Sequence, residues 1–166
     1  AAAQPAGAPA AKPIPPEAQA LFDQGTKLLS QNKWKAAAKA LQGAVEKADH
    51  FVDAHVNLSL ALRRLGTDQV PQAMLHAQKA CELDFNHAQA RYQRGVAYAL
   101  LGNAQRARNE HVWLVKRALP LGPELAAVID AKKEDPSRPL LGAAGLTGHL
   151  ITGGPPPVPG VTPTAP

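Results

Sequence analysis

An internal repeat constrains the fold of this 166-residue chain more than any other feature. A small residue followed seven positions later by a turn residue occurs three times, at intervals of 34 and then 36 positions. The three pairs are Gly25 with Asn32, Ser59 with Gly66, and Gly95 with Gly102. A unit of this length cannot bury its apolar face alone, so such units stack against one another. The spacing therefore predicts a solenoid of three units.

Each unit is predicted to consist of two amphipathic helices joined by a short turn. In the first unit, apolar residues recur at helical spacing before the turn at Leu21 and Leu29, and after it at Leu41 and Val45. The two additional residues of the middle unit fall in its loop, at 67–71, where an insertion costs little. Aromatic residues make up 4% of the chain, which argues against strands and for close-packed helices. The expected fold class is all-α.

The prolines divide the chain into three parts. Of the sixteen prolines, five lie in 1–16 and eight in 136–166. We expect an Ala/Pro-rich N-terminal linker over 1–16, a helical domain over 17–135 and a Pro/Gly-rich tail over 136–166, because neither end can form a core. Within the tail, 138–154 (RPLLGAAGLTGHLITGG) carries five leucine and isoleucine side chains. These are enough to dock it as an extended strap on the protein's own groove, a second copy or a larger assembly.

A further helix is predicted after the third unit. Residues 121–133 (LGPELAAVIDAKK) contain Pro123, which suits the first turn of a helix, and an apolar stripe of Leu125, Val128 and Ile129. The last unit of a solenoid needs a cover for its apolar face. We expect this helix to cap the third unit.

The three units resemble the tetratricopeptide repeat (TPR) family, whose repeats are helix-turn-helix units with a period near 34 residues. The likeness covers 17–119 and is best at 78–84 (QKACELD), similar to the end of a repeat, and at 95–107. The residues that carry it in the first and third units are Gly25, Leu28, Trp34, Ala37, Leu41 and Ala44, and Gly95, Tyr98, Gly102 and Ala107. The resemblance implies a TPR-type right-handed solenoid of three repeats with a C-terminal capping helix.

Three positions depart from the family pattern. Asp49 and Phe85 stand where the family commonly has the proline that closes a repeat. Leu114 stands in place of a small residue in the last helix, which suggests different packing against the helix that follows.

In the TPR family the first helices of the repeats line a concave groove, and the resemblance implies that ten residues of this chain face it. These partner-binding candidates are Phe22, Thr26, Leu29, Val56, Asn57, Leu60, Arg63, Tyr92, Gln93 and Val96. Most are apolar, which favours a groove that takes up apolar side chains of a peptide or helix, with Arg63 and Tyr92 as rim anchors. The alternative is that these side chains pack between neighbouring first helices.

One variant of the family binds the C-terminal carboxylate of chaperones through lysine, arginine and asparagine. Asn57 matches one of those positions, whereas Phe22, Thr26, Gln89 and Gln93 occupy the others. Without cations, a carboxylate gains no charge-assisted hydrogen bonds. An adaptor for chaperone tails is therefore not expected.

The sequence offers no constellation for catalysis. Its single cysteine, Cys81, excludes an internal disulfide and a four-cysteine zinc site, and is best interpreted as a small core residue. None of the six histidines has the spacing of a zinc-binding helix, and no phosphate-binding glycine loop or serine nucleophile motif is present. We expect no enzyme activity, no cofactor and no metal.

The net charge of +5 is more dispersed than in compact nucleic-acid binders, so no nucleic-acid partner is expected. From Arg91 to Arg117 the third unit holds six cations against one anion, Glu110. One interpretation is docking to an acidic protein or to anionic lipid head groups. The other, which we favour, is a solvated convex face.

The chain begins AAAQPAGAPA without methionine, as a chain does after a signal peptide is removed at a small-residue site. We expect an exported, periplasmic protein, with a cytoplasmic location as the alternative. No stretch approaches the roughly 20 apolar residues of a membrane span.

These observations predict a non-enzymatic protein-protein interaction module that binds an apolar peptide or helix of a partner in its groove, as an adaptor or assembly factor. The alternative is a structural accessory subunit of a larger membrane-associated complex, held by its tails and its basic third repeat. The expected partner is a protein or a larger protein complex. Peripheral membrane association and self-association stay open.

Overall fold

A computed structural model describes residues 12–135 and 143–144. These residues form seven α-helices and no strand. The helices are α1 (Pro16–Ser30), α2 (Trp34–Lys47), α3 (Val52–Leu65), α4 (Val70–Leu83), α5 (Ala88–Leu100), α6 (Ala104–Lys116) and α7 (Leu121–Ala131). The all-α prediction is confirmed.

Successive helices pack as pairs, α1 with α2, α3 with α4 and α5 with α6. Each pair also contacts the next along the chain, α2 against α3 and α4 against α5. In addition, α3 contacts both α1 and α5, so the first helices of the three pairs form one layer. This is the stacking that the internal repeat predicts.

The turn inside each pair uses the residue that the repeat identified. Asn32 and Gly102 adopt left-handed backbone angles, with φ of 57° and 79°, and Gly66 has a φ of 155°. A left-handed residue ends a helix sharply, and glycine and asparagine adopt it at the lowest cost. After Gly66, a 3₁₀ turn over Thr67–Gln69 precedes α4, so the two additional residues of the middle unit do lie in its loop.

The small residue of each pair marks a close approach between helices. A Cβ atom added to Gly25 would lie 2.5 Å from Cγ of Leu41 on α2, and one added to Gly95 would lie 2.5 Å from Cδ2 of Leu125 on α7. Ser59, at the equivalent place on α3, is fully buried. The repeat in the sequence thus reflects repeated helix contacts.

The capping helix is present as α7 and packs on both α5 and α6. It begins at Leu121, two residues before Pro123, and buries the predicted stripe of Leu125, Val128 and Ile129. Leu114 of α6 is fully buried in the same cluster. The large residue at this unusual position therefore packs with the cap, as the departure from the family pattern suggested.

The described end of the N-terminal linker packs on the helices. Ile14 lies partly buried against the core of the first pair. The His50 Nε2 atom lies 3.1 Å from the main-chain oxygen of Lys12. Residues 1–11 of the predicted linker, and all of the predicted tail except 143–144, lie outside the described residues. Among the described helices, none is long and apolar enough to cross a membrane.

Candidate functional site

All ten candidate groove residues lie on α1, α3 and α5, and all ten are buried. Phe22, Leu29 and Leu60 belong to the core cluster of the first pair and α3. Tyr92 and Val96 belong to the cluster around α7. These apolar side chains thus have a packing role within the helical layer. Contact of the same side chains with a partner stays a prediction.

The polar candidates also lie on these helices, and with Arg64, which was not predicted, they form a set that we call the polar strip: Thr26 on α1, Asn57, Arg63 and Arg64 on α3, and Gln93 on α5. Asn57 and Arg64 are separated by two helical turns, so they share one side of α3. The strip contacts residues that follow α7 in the sequence. These contacts are made at two points.

At the first point, Asn57 pairs with the main chain of Ala144. The side-chain amide donates to the Ala144 carbonyl oxygen at 2.9 Å, and its Oδ1 accepts from the Ala144 N–H at 2.6 Å. The same amide also donates to Oγ1 of Thr26 at 3.1 Å. Because Asn57 is fully buried, each of its polar atoms needs such a partner. The arrangement recognises a peptide backbone and makes no hydrogen bond to a side chain of the bound segment.

The side chains at this point are small and enclosed. Ala143 is fully buried in the core cluster that includes Phe22 and Leu58. Ala144 is 3% exposed and joins Val56 and Ala90 in a separate cluster. Both methyl groups therefore contribute apolar burial next to the hydrogen-bonded backbone.

At the second point, the Glu134 carboxylate forms an ion pair with Arg63 and lies 3.6 Å from Nη2 of Arg64. Arg63 also donates to Oε1 of Gln93. The Arg63 side chain is fully buried, and that of Glu134 is 14% exposed. A buried cation next to a carboxylate is costly to leave unpaired, so this pair fixes the position of Glu134. Arg63, which was predicted to lie at the rim of the groove, and Arg64 thus offer a carboxylate two cations from the far end of α3, outside the positions that the carboxylate-binding variant of the family uses.

Tyr92 lies close to this ion pair. Burial raises the pKa of its hydroxyl well above the usual range, and the positive charge of Arg63 opposes that rise only in part. Tyr92 therefore stays neutral at physiological pH. Its ring belongs to the buried apolar cluster around α7.

No family model and no curated protein sequence matches the chain. Among solved structures, the fold is similar to that of PcrH, whose structure was determined in complex with the chaperone-binding region of PopD. The TM-score is 0.59 at 18% sequence identity, over 69% of this chain and 89% of PcrH. This chain has a TPR-like helical-repeat fold.

In this TPR-like fold, the basic third repeat is only partly a solvated face. Glu110 is buried and accepts from Arg91 at 3.0 Å and from Arg94 at 2.6 Å. The Arg91 guanidinium also stacks over the rings of Phe85 and Trp113, at 4.0 and 4.3 Å. The interpretation as a solvated face is therefore wrong for Arg91, which is buried by these contacts. The remaining cations of the stretch are exposed: Arg106, Arg108, Lys116 and Arg117.

Nothing in the sequence marked Glu134 as a site residue, since an acidic residue after a terminal helix is common. The apolar stretch 138–154 did suggest a docking strap, and its two described residues, Ala143 and Ala144, do lie on the protein's own groove. Cys81 is a buried core residue, and burial raises the pKa of its thiol to about 11. No group of three or more metal-ligating side chains occurs among the described residues.

Proposed function

We propose that this chain is a non-enzymatic protein-interaction module of the TPR type, which binds an extended segment of a partner protein along α1, α3 and α5. The observation that carries the proposal is the pairing of the buried Asn57 amide with both polar groups of one peptide residue. An amide side chain placed in this way recognises any extended backbone that reaches it. The protein would act as an adaptor or assembly factor.

Two further observations support the proposal. PcrH, which shares the fold, was solved with a segment of another protein. The face of α3 that holds Asn57 also holds Arg63 and Arg64, which attract a carboxylate. Together these groups suit an extended segment with small side chains and an acidic group. This differs from the purely apolar peptide or helix that the candidate residues suggested.

The proposal is tested by site-specific photo-cross-linking in the native cells, with the cross-linker placed at Gln89 on α5. A matched cross-linker at Gln78, which is exposed on α4, reports contacts with the opposite helical layer. We expect a partner to be captured from Gln89 and not from Gln78. A peptide that spans the captured segment is then used to measure affinity by calorimetry.

In a chain that carries Ala144→Pro, which removes the N–H that the chain itself presents to Asn57, we expect Asn57→Ala to weaken the binding of that peptide by about 10- to 100-fold, since two net hydrogen bonds are lost. Asn109→Ala, on the exposed surface of α6, is the matched control and should leave the affinity unchanged. Thermal unfolding followed by circular dichroism verifies that both variants fold. Equal affinity with and without Asn57→Ala in the folded Ala144→Pro chain would contradict the proposal.

A further inference from the structure

We propose that the chain after α7, through Glu134 and through Ala143 and Ala144, is an intrachain ligand of the groove, which we call the latch and which a partner must displace in order to bind. The inference rests on the proposed function of the groove. It is drawn from the two contact points on the polar strip, both of which are made by residues that follow α7.

Glu134 and Ala144 make the same kinds of contact that a peptide of a partner protein would make. At Asn57 the groups involved are a main-chain N–H and a main-chain carbonyl, which every residue except proline supplies. At Arg63 and Arg64 the group is a carboxylate, which aspartate, glutamate or a chain terminus supplies. Glu134 and Ala144 therefore occupy the groove by contacts that another chain can reproduce.

These contacts are also few enough to be reversible. The Glu134 side chain is 14% exposed, and Glu134 lies outside the helices. Its carboxylate can therefore leave Arg63 without unfolding α7. When Glu134 leaves, water can take its place at the Arg63 guanidinium, so that two net hydrogen bonds and one ion pair correspond to a latch that is closed about 90–99% of the time. Only about 1–10% of the chains are then open, and a partner binds only these, so its apparent affinity is about 10- to 100-fold lower than for an open groove.

A competing segment can also make a contact that Glu134 leaves unmade. The Nε atom of Arg63 is buried and has no hydrogen-bond partner among the described residues. A carboxylate that approaches this edge of the guanidinium can accept from two nitrogen atoms at once, which is the stronger geometry. The partner that best displaces the latch is therefore an extended segment with one acidic group and small side chains at the position of Ala143 and Ala144.

The test uses the full chain and a fluorescent synthetic peptide with the sequence of residues 133–147, added in trans. Binding is followed by fluorescence anisotropy for the wild type, Glu134→Gln and Ala144→Pro. The first substitution removes the carboxylate charge, and the second removes the N–H that donates to Asn57. Both positions lie outside the helices, so the fold should persist. Asp130→Asn, an exposed position on α7 with the same charge change as Glu134→Gln, is the matched control.

We expect Glu134→Gln and Ala144→Pro to bind the peptide about 10- to 100-fold more tightly than the wild type and Asp130→Asn do. Adding Asn57→Ala to either latch variant should abolish this gain. Hydrogen exchange of the wild-type chain should show protection of the Ala144 amide, and Glu134→Gln should reduce that protection. Equal peptide affinity in all four chains, or an unprotected Ala144 amide in the wild type, would overturn the latch.

The two proposals fail in distinguishable ways. An unprotected Ala144 amide, together with partner binding that depends on Asn57, would overturn the latch and leave the groove function intact. A protected Ala144 amide, together with a partner affinity that Asn57→Ala does not change, would overturn the groove function and with it the role of the latch.

Discussion

At the scale of single residues, two histidines with no suggestive spacing in the sequence meet between α3 and α4. The Nδ1 atoms of His55 and His76 lie 3.0 Å apart, and Nε2 of His55 lies 3.0 Å from the main-chain oxygen of Asp49. His55 must donate to Asp49 through Nε2, so its Nδ1 accepts from His76 and both rings are neutral. Burial lowers the pKa of both histidines, that of His76 to about 4, and the two rings oppose each other's protonation.

This pair predicts a loss of stability in mild acid. The unfolded chain takes up a proton near pH 6.5. Folded His76 takes one up only near pH 4, so the free energy of unfolding falls between these values and is unaffected above them. Between pH 7 and pH 4.5, we expect the free energy of unfolding to fall by about 1–2 kcal/mol less in His76→Gln than in the wild type. Urea unfolding at both pH values measures the difference, with His111→Gln as control. Parallel losses in all three proteins would contradict the assignment.

At the scale of helices, periodicity and turn residues were sufficient to place most of the architecture. Asn32, Gly66 and Gly102 were identified from their register alone, and each lies in the turn of a helix pair with a positive φ. These features are local, because each turn needs a residue that adopts a positive φ at low cost, although the angle at Gly66 differs from those at Asn32 and Gly102. The predicted range 121–133 begins where α7 begins, at Leu121, whereas the helix ends two residues earlier than predicted, at Ala131, since helix ends depend on the neighbouring packing as well as on sequence.

The close approach at Gly25 gives a prediction at this scale. An added methyl group would lie 2.5 Å from Cγ of the fully buried Leu41. We expect Gly25→Ala to destabilise the protein by about 1–3 kcal/mol, because overpacking outweighs the gain in helix propensity. Gly43→Ala, whose methyl group would lie 3.2 Å from the partly exposed Leu21, should be neutral or stabilising. Urea unfolding of both variants checks the contrast, and an equal effect would show that Leu41 can move aside.

At the scale of the whole molecule, the contact of Ala144 with the groove could not be predicted as precisely as the helix turns. Asn57 and Ala144 are 87 positions apart, and their contact leaves no periodic signal in the sequence. The residues of the polar strip, except Arg64, were predicted because the family pattern places them on the groove side of the first helices. The sequence analysis named the protein's own groove as only one of three places where the apolar stretch 138–154 could dock.

The capping helix provides a prediction for the molecule as a whole. Leu125 is fully buried between α5, α6 and α7, so Leu125→Ala should cost about 2–5 kcal/mol. In a stacked array each unit contacts its neighbours alone, so hydrogen exchange should accelerate in α5 and α6 more than in α1 and α2. Leu101→Ala, at a leucine that is 46% exposed, is the matched control. Uniform acceleration in all helices would indicate a single cooperative unit.

The pairing at Asn57 also bears on selectivity. An amide that recognises backbone atoms is indifferent to most sequence changes in its ligand, so discrimination between partners must come from exclusion. Proline at the paired residue lacks the required N–H, and a bulky side chain there has to enter a space that now holds an alanine methyl group. If the groove binds partners as proposed, partners of very different sequence would therefore share this surface, provided that each offers a non-proline stretch with small side chains.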